Sequence, residues 1–324
     1  MDNLRFRSDY AQTTEGLSEL KNLIRDVFAI DISPLDRLGH DTSVIAFGWW
    51  HHDRLIANIS LYERQLFLSG DRVSALGVQS VAVRPQWRGK GLFRDLMRRA
   101  LQHSDELTEL MILATETPSL YRPFGFRQIR ETVFNAGWAS RQSQAICRDL
   151  SLDANEDVAM LLNLFPRRAP TSLFASACDH PSLFFLKAAL TPEIRLVHLP
   201  DLDAIVAIRI DGNTLILLDI VAPKIPTLED ILAHLDFEGN RIELHLTPDR
   251  LGWRPEGQQS VDRGYMVRGP FPVEGSAYMF SSMIRPTDLR ARMDRHASEG
   301  LTVRSFSTTA YIFRNGLNTQ DEMA

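Results

Sequence analysis

The chain has 324 residues, 44% hydrophobic and 24% charged, with a formal net charge of −5; this is an ordinary globular composition, long for one domain and comfortable for two. The acidic balance excludes a dedicated nucleic-acid binder, because the basic residues gather locally without dominating the chain. Cys147 and Cys178 are far apart and imply neither a disulfide framework nor a zinc knuckle, and the absence of an apolar signal core or membrane-length stretch makes a reducing cytoplasm the expected location.

In chain order, Asn3 to Arg7 reads as a strand. Glu15 to Phe28 reads as an amphipathic helix, with Leu17, Leu20, Leu23, Ile24, Val27 and Phe28 on one stripe. Asp31 to Asp41 is a loop rich in Asp, Ser, Pro and Gly. Thr42 to Trp50 and Leu55 to Leu66 are strands joined at His51-His52-Asp53-Arg54, and a turn at Gly70-Asp71 leads into a third antiparallel strand ending Val78-Gln79-Ser80-Val81-Ala82-Val83. Adjacent histidines on a strand point to opposite faces, and no acid or Cys cluster completes a ligand set, so no metal is expected at His51-His52.

The segment Gln86-Trp87-Arg88-Gly89-Lys90-Gly91 follows that strand and precedes an amphipathic basic helix opening at Leu92-Phe93. Glycines spaced G-x-G let backbone N–H groups approach an anion, and the first helical turn adds free donors and partial positive charge. Arg84, Arg88, Lys90 and Arg94 surround the same point, so the expected ligand is a pyrophosphate. A dinucleotide fingerprint needs a third glycine, and a Walker loop needs G-x-x-x-x-G-K-[ST]; neither is present. Downstream, the strand Leu110 to Thr115 leads to Tyr121-Arg122-Pro123-Phe124-Gly125-Phe126, where Gly125 marks a turn.

The pattern Q/R-x-x-G-x-G/A, preceded by Val81-Ala82-Val83-Arg84-Pro85 and followed one strand later by Y-x-x-x-G-F, resembles the acyl-CoA loop and closing motif of GNAT-superfamily N-acetyltransferases. The resemblance covers roughly residues 1–140, where the order strand, helix, three strands, helix, strand, helix is that of the superfamily. It implies acetyl-CoA as co-substrate, held by Val81, Ala82, Val83, Gln86, Arg88, Gly89, Lys90, Gly91, Leu92 and Phe93. It also implies direct transfer in a ternary complex, with a strand N–H polarising the thioester carbonyl and Tyr121 protonating the leaving thiolate. The motif strand offers Gln79 and Ser80 where a glutamate base is usual. Glu116, His51, His52 and Asp41 remain as base candidates, or a water chain takes the proton. Asp31, Asp36, Trp49 and Glu116 are the candidates on the acceptor side.

Strands at Ile194 to Leu199, Ala204 to Ile210 and Thr214 to Val221, with a hairpin turn at Asp211-Gly212-Asn213, follow the short apolar run Leu183 to Leu190. A helix from Thr227 to Leu235, capped by Thr227, and a strand at Arg241 to Leu246 repeat the order of the first half. Here Lys224-Ile225-Pro226 stands where the glycine loop would be, and proline removes a donor, so this unit is not expected to bind acyl-CoA. The expected fold class is α+β, two tandem GNAT-like units with mixed, mostly antiparallel sheets, the first intact and the second degenerate. The arrangement resembles the Eis-like (enhanced intracellular survival) acetyltransferases, which modify amines including aminoglycosides and lysine side chains, but too little chain follows residue 250 for their third, sterol-carrier-like domain. The expected division is 1–145 for the catalytic domain, 146–314 for the second unit, whose last strands include Tyr265 to Arg268, Tyr278 to Ser281 and Thr309 to Phe313, and 315–324 for a polar tail. The expected partner is an amine acceptor, a small molecule such as an aminoglycoside or polyamine or a lysine side chain, without nucleic acid or membrane; a homo-oligomer is compatible with this reading. A reading of a different class is a non-catalytic acyl-CoA sensor or assembly module, which would have no need of Tyr121.

Overall fold

The computed structural model describes residues 3–39, 43–139, 146–178 and 181–272. Asp41, the strands expected at Tyr278–Ser281 and Thr309–Phe313, and the tail 315–324 lie outside them.

Strand β1 (Leu4–Ser8) is followed by helix α1 (Thr14–Phe28), then β2 (Ile45–His51), β3 (Arg54–Leu68), β4 (Asp71–Val83), helix α2 (Leu92–Ser104) and β5 (Met111–Ala114). The stripe of α1 is buried at Leu20, Leu23 and Ile24, and Thr13 caps the helix by accepting from the Gly16 N–H. The further helix anticipated after β5 is replaced by two short 3-10 turns, Pro118–Leu120 and Arg122–Phe124. Pro118 and Pro123 open these turns, and Gly125 at φ 85° ends the second before an α-helical ladder can form.

The chain continues through β6 (Arg127–Gln128), β7 (Glu131–Gly137), β8 (Arg148–Asp149), α3 (Asn155–Leu164), β9 (Ala175–Ala177), α4 (Ser182–Leu190), β10 (Arg195–Leu199), β11 (Ala204–Asp211), β12 (Thr214–Val221), α5 (Leu228–His234), β13 (Arg241–Leu244), β14 (Gly257–Val261) and β15 (Tyr265–Arg268). These strands form two mostly antiparallel sheets flanked by helices. The first is ordered β1-β2-β3-β4-β5-β15-β6, with β9 added to the end of β3; the second is ordered β14-β7-β13-β12-β11-β10-β8. Each sheet has one parallel neighbour pair, β4 with β5 and β12 with β13, and each pair is bridged by a crossover helix, α2 or α5.

The sheets exchange a strand. After β6 the chain leaves the first sheet, and β7 inserts between β13 and β14 of the second. After β14 it returns, and β15 inserts between β5 and β6 of the first. Tyr265 to Arg268 therefore completes the first sheet rather than the second, closing the β5 edge that β7 leaves open. Gly264 makes the return feasible: its φ is 81°, and a Cβ there would sit 2.2 Å from the Thr115 carbonyl oxygen. One continuous core joins Ile56, Ile59 and Leu61 of β3 and Leu96 and Met97 of α2 to Phe184 of α4, Ile205 of β11 and Ile216 of β12.

Candidate active site

The site is a gap in the first sheet. β4 and β5 are in register only at Leu76–Met111 and Gly77–Ile112. Beyond that point β5 turns its edge to β15, while β4 runs on along β3 to Val83. A V-shaped opening results, walled by Val78 to Val83 on one side and by the end of β5 on the other.

A bulge lies on the β4 wall. Ser60 faces Gln79 and Asn58 faces Ala82, so Ser80 and Val81 together oppose one residue of β3, and Ser80 adopts φ 52°. The Arg84 N–H donates to the Ile56 carbonyl on β3. By alternation, Val81 and Val83 direct their backbone groups away from β3 and into the gap. The Val83 carbonyl accepts from Arg88 Nε at 3.0 Å, as this orientation requires.

At the wide end of the gap the chain makes a 3-10 turn at Pro85–Trp87 and then the Gly89-Lys90-Gly91 loop. Gly89 (φ 73°) and Gly91 (φ 77°) are both left-handed, and a Cβ built on either would meet nothing within 4 Å. That open space over exposed backbone is what a close-lying anion needs and what a side chain would fill. The helical ladder of α2 begins only with the Asp95 N–H bonding to the Gly91 carbonyl. The N–H groups of Leu92, Phe93 and Arg94 therefore have no partner within the helix.

The four cations expected around this point separate. Arg84 is buried, donates from Nε to the Leu55 carbonyl at 2.8 Å and pairs through Nη1 with Asp26, so it anchors β4 to α1. Burial raises the Asp26 carboxyl, but Arg84 and Arg54 outweigh it and hold the group below the usual carboxylate range. Arg88 is half-buried, and loss of water lowers its pKa. Lys90, Arg94 and Gln86 are exposed, with the Lys90 ammonium 4.5 Å from the centre of the Trp87 ring. Lys90 and Arg94 are thus the cations left to face an anion.

Tyr121 sits where the second 3-10 turn begins. It is 7% exposed and meets the Phe93 ring edge-on at 5.6 Å and Phe126 at 6.1 Å. Phe93 belongs to the first turn of α2, so the aromatic contact ties the tyrosine to the glycine loop. Loss of water on burial pushes the phenol well above its usual range, and it stays protonated.

The acceptor-side candidates do not converge. Asp31 accepts from the Ser33 N–H and hydroxyl and lies 3.6 Å from Arg25; its carboxyl is held below the usual range first by those Ser33 bonds. Asp36 pairs with Lys21 at 2.5 Å, in a 3-10 turn (Ser33–Leu38) that packs on α4. The Trp49 indole donates to Asp95 of α2 at 2.9 Å, whereas Trp50 is core, edge-on to Tyr10 at 5.1 Å. Glu116 is exposed just beyond β5. His51 ends β2 and His52 turns at φ 52°, so their rings meet at 4.3 Å where strand alternation would separate them. Among the described residues no group of His, Cys, Asp and Glu could hold a metal ion, and no helix is long and apolar enough to cross a membrane.

Sequence reasoning missed a polar set beside the bulge. Tyr10 donates its hydroxyl to Asn58 Oδ1, and Asn58 Nδ2 donates to Ser60 Oγ at 3.0 Å and to the Ser80 carbonyl at 2.7 Å. Tyr62 Oη lies 3.5 Å from Ser80 Oγ. The available signal was polar Asn58 and Ser60 inside the apolar run Leu55 to Leu61, with nothing in the sequence to name their partners.

The second sheet has a bulge at the matching place, Leu218 standing extra between Leu217 and Asp219 against β11. Its gap is filled by the protein. Arg168 Nη2 donates to the Ile220 carbonyl at 3.0 Å and to Asp219 at 2.8 Å, and the Ala169 N–H donates to the Ala222 carbonyl.

Residues 11–129 match the acetyltransferase (GNAT) domain family. Among solved structures the chain is similar to a probable N-acyltransferase from Enterococcus faecalis V583, with 14% identity, 82% of this chain and 72% of that one covered, and TM-score 0.54. It is also similar to Eis1 from Mycobacterium abscessus (18% identity, 82% and 73% covered, TM-score 0.53) and to a GCN5-related N-acetyltransferase from Anabaena variabilis ATCC 29413 (14%, 82% and 72%, TM-score 0.50). At such identities these structures speak for the fold alone, and the match to the acetyltransferase (GNAT) domain family covers the first half, residues 11–129.

Proposed function

We propose that this protein is an acetyl-CoA-dependent N-acyltransferase that passes an acetyl group to a primary amine by direct attack on the thioester. The observation that carries the reading is the β4–β5 gap, with an unfilled glycine loop at one end and buried Tyr121 beside it. In this reading the pyrophosphate lies on the N–H groups around Gly89 to Phe93, and Lys90 and Arg94 add charge. The pantetheine runs along Val83 and Val81, whose backbone can extend the sheet to it as a strand would. The Val81 N–H meets the thioester oxygen and carries the negative charge that develops there as the amine adds. When the tetrahedral adduct collapses, the C–S bond breaks and the Tyr121 hydroxyl gives its proton to the departing sulfur. The amine is a small-molecule amine or a lysine side chain, and its proton leaves through a chain of water. The second unit, with its gap filled by Arg168 and Ala169, is read as degenerate, leaving one site per chain.

The test is CoA-thiol release measured with an amine panel of aminoglycosides, polyamines and lysine peptides. Wild type is expected to turn over at least one class, and Gly89→Asp is expected to abolish acetyl-CoA binding by placing a carboxylate against the pyrophosphate. Tight acetyl-CoA binding with no turnover on any amine would replace the enzyme with an acyl-CoA sensor, and undiminished affinity in Gly89→Asp would displace the cradle.

A further inference from the structure

The bulge that turns the Val81 N–H into the gap is held from behind. Ser80 and Val81 share one trans peptide unit, in which carbonyl and N–H point in opposite directions. The carbonyl of that unit is taken by Asn58 Nδ2 at 2.7 Å, so the N–H on its far side has its direction fixed. A hydrogen bond at one end of a peptide also polarises the other, which improves Val81 as a donor.

Asn58 has no freedom of its own. It is 1% exposed; its other amide hydrogen goes to Ser60 Oγ, and its oxygen accepts from Tyr10. The Ser80 carbonyl can only accept, so the Asn58 amide turns its nitrogen to it, and the Tyr10 hydroxyl donates to the oxygen at the other end and holds the amide in that orientation. Tyr10 is itself 1% exposed and edge-on to Trp50, and burial pushes its phenol well above the usual range, which keeps it a donor. Opposite Asn58 on β2 stands Gly48. A Cβ there would lie 2.5 Å from the Tyr10 hydroxyl, so the missing side chain is what lets that hydroxyl reach Asn58.

We propose that Asn58, set by Tyr10 in the space left by Gly48, is a positioning residue for acyl transfer that aims the Val81 N–H at the thioester oxygen. The proposal rests on the acyl-transfer reading of the gap. It assigns a task to three residues that lie outside the glycine loop and the Tyr121 motif.

The experiment uses the full chain with acetonyl-CoA, a ketone analogue that cannot transfer its group, labelled with carbon-13 at the carbonyl. In wild type the carbonyl resonance is expected to move downfield on binding, because the Val81 N–H donates to it. In Asn58→Leu, and in Asn58→Asp, which keeps the acceptor for Tyr10 but removes both donors, at least half of that shift is expected to vanish. Acetyl-CoA affinity should stay within about threefold, while kcat falls roughly tenfold to a hundredfold, as misplacement of a catalytic group costs. Tyr10→Phe and Gly48→Ala are expected to change the shift and kcat in the same direction, and they carry the test if the Asn58 variants do not fold. A wild-type carbonyl that does not move on binding sinks the acyl-transfer reading at Val81. A wild-type shift that survives in the folded variants, with kcat unchanged, overturns the positioning role alone.

Discussion

At the scale of single residues, Tyr121 is the clearest case of environment deciding chemistry. A tyrosine in water titrates near about 10 and is a weak acid toward a thiolate at neutral pH. Here loss of water raises it further, so the neutral form persists throughout the working range. Tyr121→Phe is expected to lower kcat about a hundredfold or more while acetyl-CoA affinity holds, because the ring contacts with Phe93 and Phe126 survive. The wild-type kcat–pH profile should show no loss attributable to this acid below pH ~10, since the group stays protonated past its ordinary value. The same shift bears on stability: the folded state holds this proton more tightly than the unfolded chain, so the stabilisation is complete below about pH 10 and is lost as pH climbs toward the folded value. A basic limb falling near neutrality that disappears in Tyr121→Phe would contradict the burial argument. Tyr121 and the glycine loop were legible in the sequence because their neighbours lie within a few positions and follow a spacing. Tyr10, Gly48 and Asn58 were not, because Tyr10 reaches Asn58 across 48 positions and only the folded sheet brings them together.

At the scale of elements, the crossover helices carry the difference between the two halves. Helix α2 starts from Gly91 in a left-handed conformation, whereas α5 starts from Thr227, whose hydroxyl accepts from the Asp230 N–H at 3.1 Å. The first beginning leaves donors for a ligand and the second uses one internally. Gly91→Ala is expected to cost about 1–2 kcal/mol in urea denaturation, because alanine resists that φ, and to weaken acetyl-CoA binding with it. An unchanged midpoint would mean that the loop relaxes without strain. In the second half a buried Arg168–Asp219 pair lies at the matching bulge. Arg168→Met is expected to destabilise by about 3–5 kcal/mol because Asp219 keeps its burial and loses this cation, and Arg168→Met with Asp219→Leu should recover much of the loss. Equal losses in the single and the double variant would place the cost in packing. The elements themselves were largely readable from periodicity, including the Thr227 cap. The 3-10 turns after β5 were not, since two prolines in a row of short turns override the expected order.

At the scale of the whole molecule, the reciprocal exchange of β7 and β15 sets how the chain can come apart. A hairpin-like neighbour pair, β6 followed by β7, sends one strand to each sheet, and β14 with β15 does the same in reverse. Local pattern could not reveal this, because Val133, Phe134 and Ala136 of β7 satisfy either sheet and only long-range pairing decides between them. The consequence is mechanical as well as topological. A fragment of residues 1–145 would carry β7 without β13 and β14, and β5 without β15, presenting both an orphan strand and an open edge beside the β4–β5 gap. Such edges invite aggregation, so this fragment is expected to be insoluble or partly unfolded, with no acetyl-CoA affinity, even though it contains the whole glycine loop and Tyr121. The full chain, joined by a core common to both sheets, is expected to unfold in a single calorimetric transition with coincident fluorescence and circular-dichroism midpoints. Two resolved transitions, or a soluble 1–145 fragment that binds acetyl-CoA as the full chain does, would mean that the exchanged strands contribute little. Otherwise the second half has a task even with its own gap filled: it supplies β15, the strand that holds the β5 wall of the site in place.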